Sequence, residues 1–160
     1  MAYVYVSIGS NINRAENVRA SIDRLKVLFG ELSLSRVYET AAVGFEGQPF
    51  YNLVAGFETD MSPQDLVETL RRIENEQGRE RLGKRFNDRT LDLDLLLYDN
   101  LILDEDGLSL PRDEILKYAF VLGPLAEIAG DRLHPVRQRS YQSLWEDFDA
   151  SGQPMTPIEF

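Results

Sequence analysis

Apolar and polar positions along this chain repeat with two different periods, and the switches between them mark the elements. Tyr3-Val4-Tyr5-Val6-Ser7-Ile8 is β-branched and aromatic, with apolar residues on both faces, and predicts a central, covered strand. Gly9-Ser10-Asn11 turns the chain. Asn13 with Glu16 three residues on reads as a capping box. Val18, Ile22, Leu25, Leu28 and Phe29 then recur at helical spacing up to the stop at Gly30. Leu32 to Tyr38 alternates as a second strand and Phe50 to Phe57 as a third, joined by the long loop Glu39 to Pro49. Ser62-Pro63, with Asp65 following, opens a second helix that buries Leu66, Leu70 and Ile73 and stops at Gly78. Arg89 to Tyr98 alternates again: Leu91, Leu93, Leu95 and Leu97 point to one face, and Asp92, Asp94, Leu96 and Tyr98 to the other.

The C-terminal third is more broken. Leu101-Ile102-Leu103 reads as a short strand, Asp104 to Gly107 as a turn, and Leu108-Ser109-Leu110 as its returning partner. A short helix follows over Glu114 to Tyr118, another from Pro124, and a last one capped by Ser140 through Trp145 and Phe148. His134 sits in a loop and reads as structural. The tail 150–160, with Pro and Gly, is expected to be loosely held. The order β-α-β-β-α-β is the split pattern of α+β, ferredoxin-like folds: a mainly antiparallel sheet with helices packed on it, plus a C-terminal hairpin and short helices. A length of 160 residues fits one domain.

Charge changes what this scaffold can be for. The formal net charge is −10, which disfavours nucleic acid or an anionic membrane as partner. No run approaches the length of a membrane span, and the start lacks the basic and apolar regions of a signal peptide. There is no cysteine and one histidine, so thiolate chemistry and zinc sites are excluded, oxygen-ligated metals remain, and a cytoplasmic setting is expected. Against this acidic background, Arg71, Arg72, Arg79, Arg81, Lys84, Arg85 and Arg89 gather 7 of the 17 basic residues just ahead of the acidic strand. Guanidinium forks match phosphate oxygens.

Asp92 and Asp94, two apart on one strand, have Cβ atoms about 6.5–7 Å apart. Like charges so placed repel, and without a cation one is driven toward its neutral form. Two readings stand: a pair of hard divalent cations holding a polyphosphate, or ion pairing with nearby arginines at a solvated edge. Asn52, interrupting its strand, reads either as a bulge or as a reader of a ligand's hydrogen-bonding edge. Asp99, Asp104, Glu105 and Asp106 lack calcium-loop spacing and read as solvated turns. A P-loop is absent, and a two-metal nuclease is disfavoured by the net charge.

The chain resembles the 6-hydroxymethyl-7,8-dihydropterin pyrophosphokinases. The likeness is carried by Gly9-Ser10-Asn11, Tyr51-Asn52, Ile73-Glu74 with Gly78-Arg79, and above all Arg89-Thr90-Leu91-Asp92-Leu93-Asp94, in register from about Tyr3 to Ile128. It implies Mg-dependent transfer of the β,γ-diphosphate of ATP to the pterin's hydroxymethyl oxygen, giving AMP, in folate biosynthesis. Asp92 and Asp94 would hold two Mg²⁺ ions. Arg79 and Arg89 would contact phosphate and pterin, with Arg81, Arg85, Arg112 and Glu74 toward the nucleotide. The pterin would lie between Phe50 and Phe120, near Phe86, with Asn52 and the backbone near Thr40 and Val43 reading its ring edge. Small-molecule substrates and a monomer are implied.

Phe86, Leu82, Arg112-Asp113 and Tyr118 depart from the family's commoner residues, which keeps a paralogue of altered preference in view beside a non-catalytic ferredoxin-like binding module. Gly44, Gly47, Gly78 and Gly83 flank two loops expected to act as lids.

Overall fold

The computed structural model describes residues 1–42, 47–78, 91–105 and 107–160. The strands are β1 Ala2–Ser10, β2 Ser33–Leu34, β3 Val37–Thr40, β4 Phe50–Thr59, β5 Asp92–Tyr98, β6 Leu103–Glu105, β7 Leu108–Leu110 and β8 Met155–Ile158. The helices are α1 Arg14–Phe29, α2 Pro63–Gly78, α3 Ala119–Ala129 and α4 Tyr141–Glu146, with a 3₁₀ turn over Asp113–Leu116. The main sheet runs β5-β1-β4-β3-β8, with β2 also on β4, and its pairings are antiparallel. This is the expected ferredoxin-like α+β arrangement, with the small β6-β7 hairpin beside it.

The sheet buries both faces. One closes on Val18, Ile22 and Leu25 of α1 and Leu66, Leu70 and Ile73 of α2, packed over Val4, Val6, Ile8, Leu53, Phe57, Leu93 and Leu95. The other packs Tyr5, Val54, Leu96 and Leu97 against Val121, Leu122 and Leu125 of α3 and Tyr141 and Leu144 of α4. Among the described residues no helix is long and apolar enough to cross a membrane.

Several expectations are corrected by packing. Asn13 has a left-handed backbone, φ 42°, and makes no side-chain cap, because a capping box needs an extended N-cap. Leu28 is 49% exposed: the helical stripe narrows to Val18, Ile22 and Leu25, with Phe29 stacked on Phe57. The second strand splits at Ser35-Arg36, where Ser35 Oγ accepts the Val54 N–H at 2.9 Å in place of a backbone carbonyl. The register moves by one residue there, from Leu34↔Ala55 to Tyr38↔Asn52.

Leu97 lies on the other face from Leu91, Leu93 and Leu95. β5 pairs Leu95 with Val6 and Leu97 with Tyr5, so Leu96 is an extra bulged residue and the alternation reverses beyond it. Tyr98 accordingly turns to the α1-α2 face, where its hydroxyl donates to the Met61 carbonyl at 2.6 Å. Leu101 and Ile102 are exposed, and the hairpin strand begins only at Leu103. The helix expected over Glu114 to Tyr118 is the short 3₁₀ turn, one residue earlier.

α3 starts at Ala119 and runs through Pro124, against the expected start at Pro124. Burial of a helix apolar on nearly every side outweighs the one N–H that proline withholds. The tail expected to be loose contains β8, paired with β3 from Val37↔Ile158 to Thr40↔Met155. Its Pro157 is tolerable because β8 is an edge strand. Ser62 and Ser140 cap α2 and α4 as expected, accepting from the N–H groups of Asp65 and Ser143, each at 3.1 Å. His134 is structural, its Nδ1 accepting the N–H groups of Val136 and Arg137.

Candidate active site

Strand register builds the floor of one cleft on the α3 side of the sheet. Residues directly opposite in neighbouring strands share a face, so the row Asp92-Gly9-Asn52 and the row Asp94-Ser7-Val54 put both acids and the asparagine on one surface. The cleft, about 360 Å³, is lined by Ser7, Gly9, Thr40, Ala41, Phe50, Asn52, Asp92, Asp94, Leu96, Arg112, Glu114, Tyr118, Phe120 and Val121. Gly9 is required where it stands: a Cβ there would lie 2.8 Å from Asn52 Oδ1. Asn52 is buried in regular strand, and its Nδ2 donates to Thr40 Oγ1 at 2.6 Å. It is neither a bulge nor exposed, which leaves its role as a polar group at the base of the cleft. Phe50 and Phe120 supply aromatic surface on the same cleft.

The two acids are turned together, and one has a cation already. Arg112 Nη2 lies 3.4 Å from Asp94 Oδ1, and Arg112 Nε donates to Glu114 Oε2 at 3.0 Å. Burial, and then the Asp92 charge, push the Asp94 carboxyl up to about 6, with Arg112 opposing the shift. Repulsion between the acids, expected from their spacing, is thus real but smaller than the cost of burying Asp94. Glu74 does not line the cleft. Its Oε2 accepts the Leu93 N–H at 2.7 Å, which caps the outer edge of β5. Burial raises Glu74 to about 7 despite that bond, with Asp92 and Asp94 adding to the rise.

A smaller hollow of about 90 Å³ adjoins on the outer side, lined by Val67, Leu70, Arg71, Leu93, Leu95, Gly107 and Leu108, and sharing Asp94 and Arg112 with the cleft. Neither this hollow nor Ser7 and Glu114 was singled out by sequence reasoning. A polar Ser7 inside an apolar strand, two residues from Gly9, was the available signal; for the hollow there was none, since it forms between α2, β5 and the hairpin.

Of the residues expected at the site, Thr40, Phe50, Asn52, Asp92, Asp94, Arg112 and Phe120 meet in the cleft. Val43, Arg79, Arg81, Arg85, Phe86 and Arg89 lie outside the described residues, as do Leu82, Gly83, Lys84 and Gly44. Of the departures, Tyr118 lines the cleft and stacks on Phe120 at 5.1 Å between ring centroids, while Asp113 is exposed and takes no part.

The donor set suits a hard cation. Two strand carboxylates face one cleft, and Asp94 has a raised proton affinity that a nearby positive charge would lower. Glu114 lines the same cleft but is paired with Arg112, and among the described residues no third acid or histidine is placed to complete a metal-ligand group with them. Magnesium typically takes one or two carboxylates and completes its sphere with water and substrate phosphates, so this pair is sufficient.

A ferredoxin-like sheet here gathers paired carboxylates, the Arg112 guanidinium and aromatic walls in one cleft, a set suited to a small ligand with a flat ring and charged groups. The particular kind follows from comparison. Residues 5–130 match the profile of the 7,8-dihydro-6-hydroxymethylpterin-pyrophosphokinase family, and the chain belongs to that family. It is 41% identical over 142 residues to 2-amino-4-hydroxy-6-hydroxymethyldihydropteridine pyrophosphokinase of Haemophilus influenzae, covering 86% of this chain and 88% of that one. It is 35% identical to the folic acid synthesis protein fol1 of Pneumocystis carinii, over 97% of this chain and 21% of that longer protein. In fold it is similar to Plasmodium falciparum HPPK-DHPS in complex with pteroate, with TM-score 0.71 and 12% identity over 91% of this chain and 43% of that one. The chain is therefore an enzyme, a pyrophosphokinase of folate synthesis.

Proposed function

We propose that this enzyme transfers the β,γ-diphosphate of ATP to the hydroxymethyl oxygen of 6-hydroxymethyl-7,8-dihydropterin, with Mg²⁺ as the metal, and releases AMP. The observation that carries the reading is the convergence of Asp92, Asp94, Arg112, Asn52, Thr40, Phe50 and Phe120 on one cleft. The flat pterin is held by the aromatic faces of Phe50 and Phe120, a geometry in which stacking and a few polar contacts suffice. Asn52 and Thr40, already hydrogen-bonded to each other, present amide and hydroxyl groups to its ring edge. Asp92 and Asp94 would hold the metal. When bound, Mg²⁺ supplies charge neutralisation at the β- and γ-phosphates, where this chemistry needs it.

Arg112 exchanges Asp94 for phosphate as the nucleotide enters, still tethered by Glu114. The base of ATP enters the hollow between Val67, Leu70 and Leu108, which shares Asp94 and Arg112 with the cleft and so puts the phosphates over the acids. The bond from the hydroxymethyl oxygen to Pβ then forms as the bond from Pβ to the α,β-bridging oxygen breaks, that oxygen leaving with AMP and the hydroxyl proton passing to solvent. Arg79, Arg81, Arg85 and Arg89, with Phe86 and Val43, add phosphate and pterin contacts from the flanking loops, as the family resemblance implies.

The test is product identity. Protein, Mg²⁺, ATP and the hydroxymethyldihydropterin should give AMP and the pterin diphosphate, and Asp92→Ala should reduce the rate at least about 1,000-fold, the scale of losing a principal electrostatic stabiliser. ADP as product sinks the diphosphate assignment. Binding of both ligands with no AMP formed supports instead a non-catalytic module.

A further inference from the structure

The C-terminal segment reaches both walls of the cleft. β8 pairs with β3 so that Met155 lies opposite Thr40, a cleft residue. Two residues before it, Gln153 spans to the start of α3, which carries Phe120. Its Oε1 accepts the Ala119 N–H at 2.8 Å and its Nε2 donates to the Lys117 carbonyl at 3.0 Å. One planar amide therefore clasps the backbone on either side of Tyr118, from 34 and 36 residues away.

The clasp answers a local deficiency. The first N–H groups of a helix have no partner within it, and the Tyr118 side chain makes no cap. Gln153 supplies that cap from elsewhere in the chain. It is itself fixed by its N–H to the Ala150 carbonyl at 2.9 Å. Beyond it, Met155 seats on Gly123 of α3, where a Cβ would meet Met155 Cε at 2.5 Å. Tyr118 and Phe120, on either side of the clasped Ala119, stack at 21° between planes. The clasp acts first on this aromatic wall.

We propose that Gln153 is a positioning residue for pterin binding: it holds the Lys117–Phe120 turn so that Phe120 presents its face to the pterin. The proposal rests on the functional reading above. The hydrogen bonds of Gln153 go to the Lys117–Ala119 backbone, and that turn meets the nucleotide half through the Glu114 carbonyl, which accepts the Lys117 and Tyr118 N–H groups at 3.1 Å, so the larger effect of its loss falls on Phe120.

The experiment is a pair of equilibrium titrations on Gln153→Ala and Gln153→Glu, with 6-hydroxymethylpterin and with ATP as separate probes, alongside thermal melts. Loss of two backbone-directed hydrogen bonds should weaken the pterin roughly fivefold to tenfold in Gln153→Ala while ATP affinity stays within about twofold. Gln153→Glu keeps the acceptor and removes the donor, and should weaken the pterin as well. Unchanged pterin affinity in either variant overturns the proposal, as does a parallel fall of both affinities with a lowered melting temperature. A wild-type protein that binds ATP but not the pterin overturns it together with the functional reading, whereas a selective failure of the variants indicts Gln153 alone.

Discussion

The two faces of the one sheet are built from the same strands and serve opposite ends. On the α1-α2 face, Val4, Val6, Leu53, Leu66 and Leu95 are almost wholly removed from water, and the buried hydroxyls of the closing helices, Ser21 and Thr69, donate to the Val18 and Asp65 carbonyls of their own helices. On the α3 face, Leu96 and Leu97 continue an apolar core under α3 and α4, but two residues earlier the same strand turns Asp92 and Asp94 into an open cleft. The closed face gains stability from burial, about 1.5–3 kcal/mol for each large side chain removed from water. The open face gives some of it up, since a carboxyl group raised to about 6 is one whose charge its surroundings disfavour. The proposed site sits where α3 stops covering the sheet.

That contrast can be broken most forcefully on the closed face. Leu66→Ala, at a site with 0% exposure, should cost about 3 kcal/mol in urea unfolding and leave turnover per folded molecule unchanged. A matching fall in turnover would mean that the two faces are not separable.

Asp94→Asn tests the other half. The folded-state pKa of Asp94 is raised, so its ionisation costs stability as pH climbs from about 4 to about 6, and below that range both states are neutral. The variant should therefore be about 1–2 kcal/mol more stable than wild type at neutral pH, with no advantage near pH 4, and inactive throughout. Thermal melts across pH, with AMP formation measured in parallel, decide it; equal stability at neutral pH would show that Arg112 fully offsets the burial of Asp94.

An effect of the same sign is expected at the edge of β5, reduced because the carboxylate's charge-assisted bond from the Leu93 N–H is exchanged for a weaker one to an amide oxygen. Glu74 is raised to about 7, so it costs stability increasingly as pH rises from about 4.5 through 7. Glu74→Gln retains an acceptor for the Leu93 N–H and should be about 1 kcal/mol more stable above pH 7, converging on wild type at pH 4.5. A loss of stability instead would mean that the Leu93 bond needs the full carboxylate charge.

Element types and the order of the fold were legible because they rest on short-range periodicity. The β-branched and aromatic run 3–8, the apolar run 50–57, the alternation of 92–95 and the helical stripes of α1 and α2 each marked an element, and the antiparallel ferredoxin-like order followed from them. The acids were legible too, since residues two apart on a strand must share a face. What was not legible depended on where remote segments land. The bulge at Leu96 comes from the pairing of Leu95 with Val6 and Leu97 with Tyr5, which no periodicity in β5 alone contains.

By itself, then, the amino-acid order determined the scaffold, the acidic pair and the family signature around it, all of them properties of neighbours along the chain. Only the tertiary structure decided that Arg112 meets Asp94, that Glu74 turns to the strand edge, and that the last residues form β8 and lend Gln153 to α3. Those contacts join residues from 18 to more than 100 positions apart, and their partners are chosen by packing and by unmet hydrogen bonds rather than by local pattern.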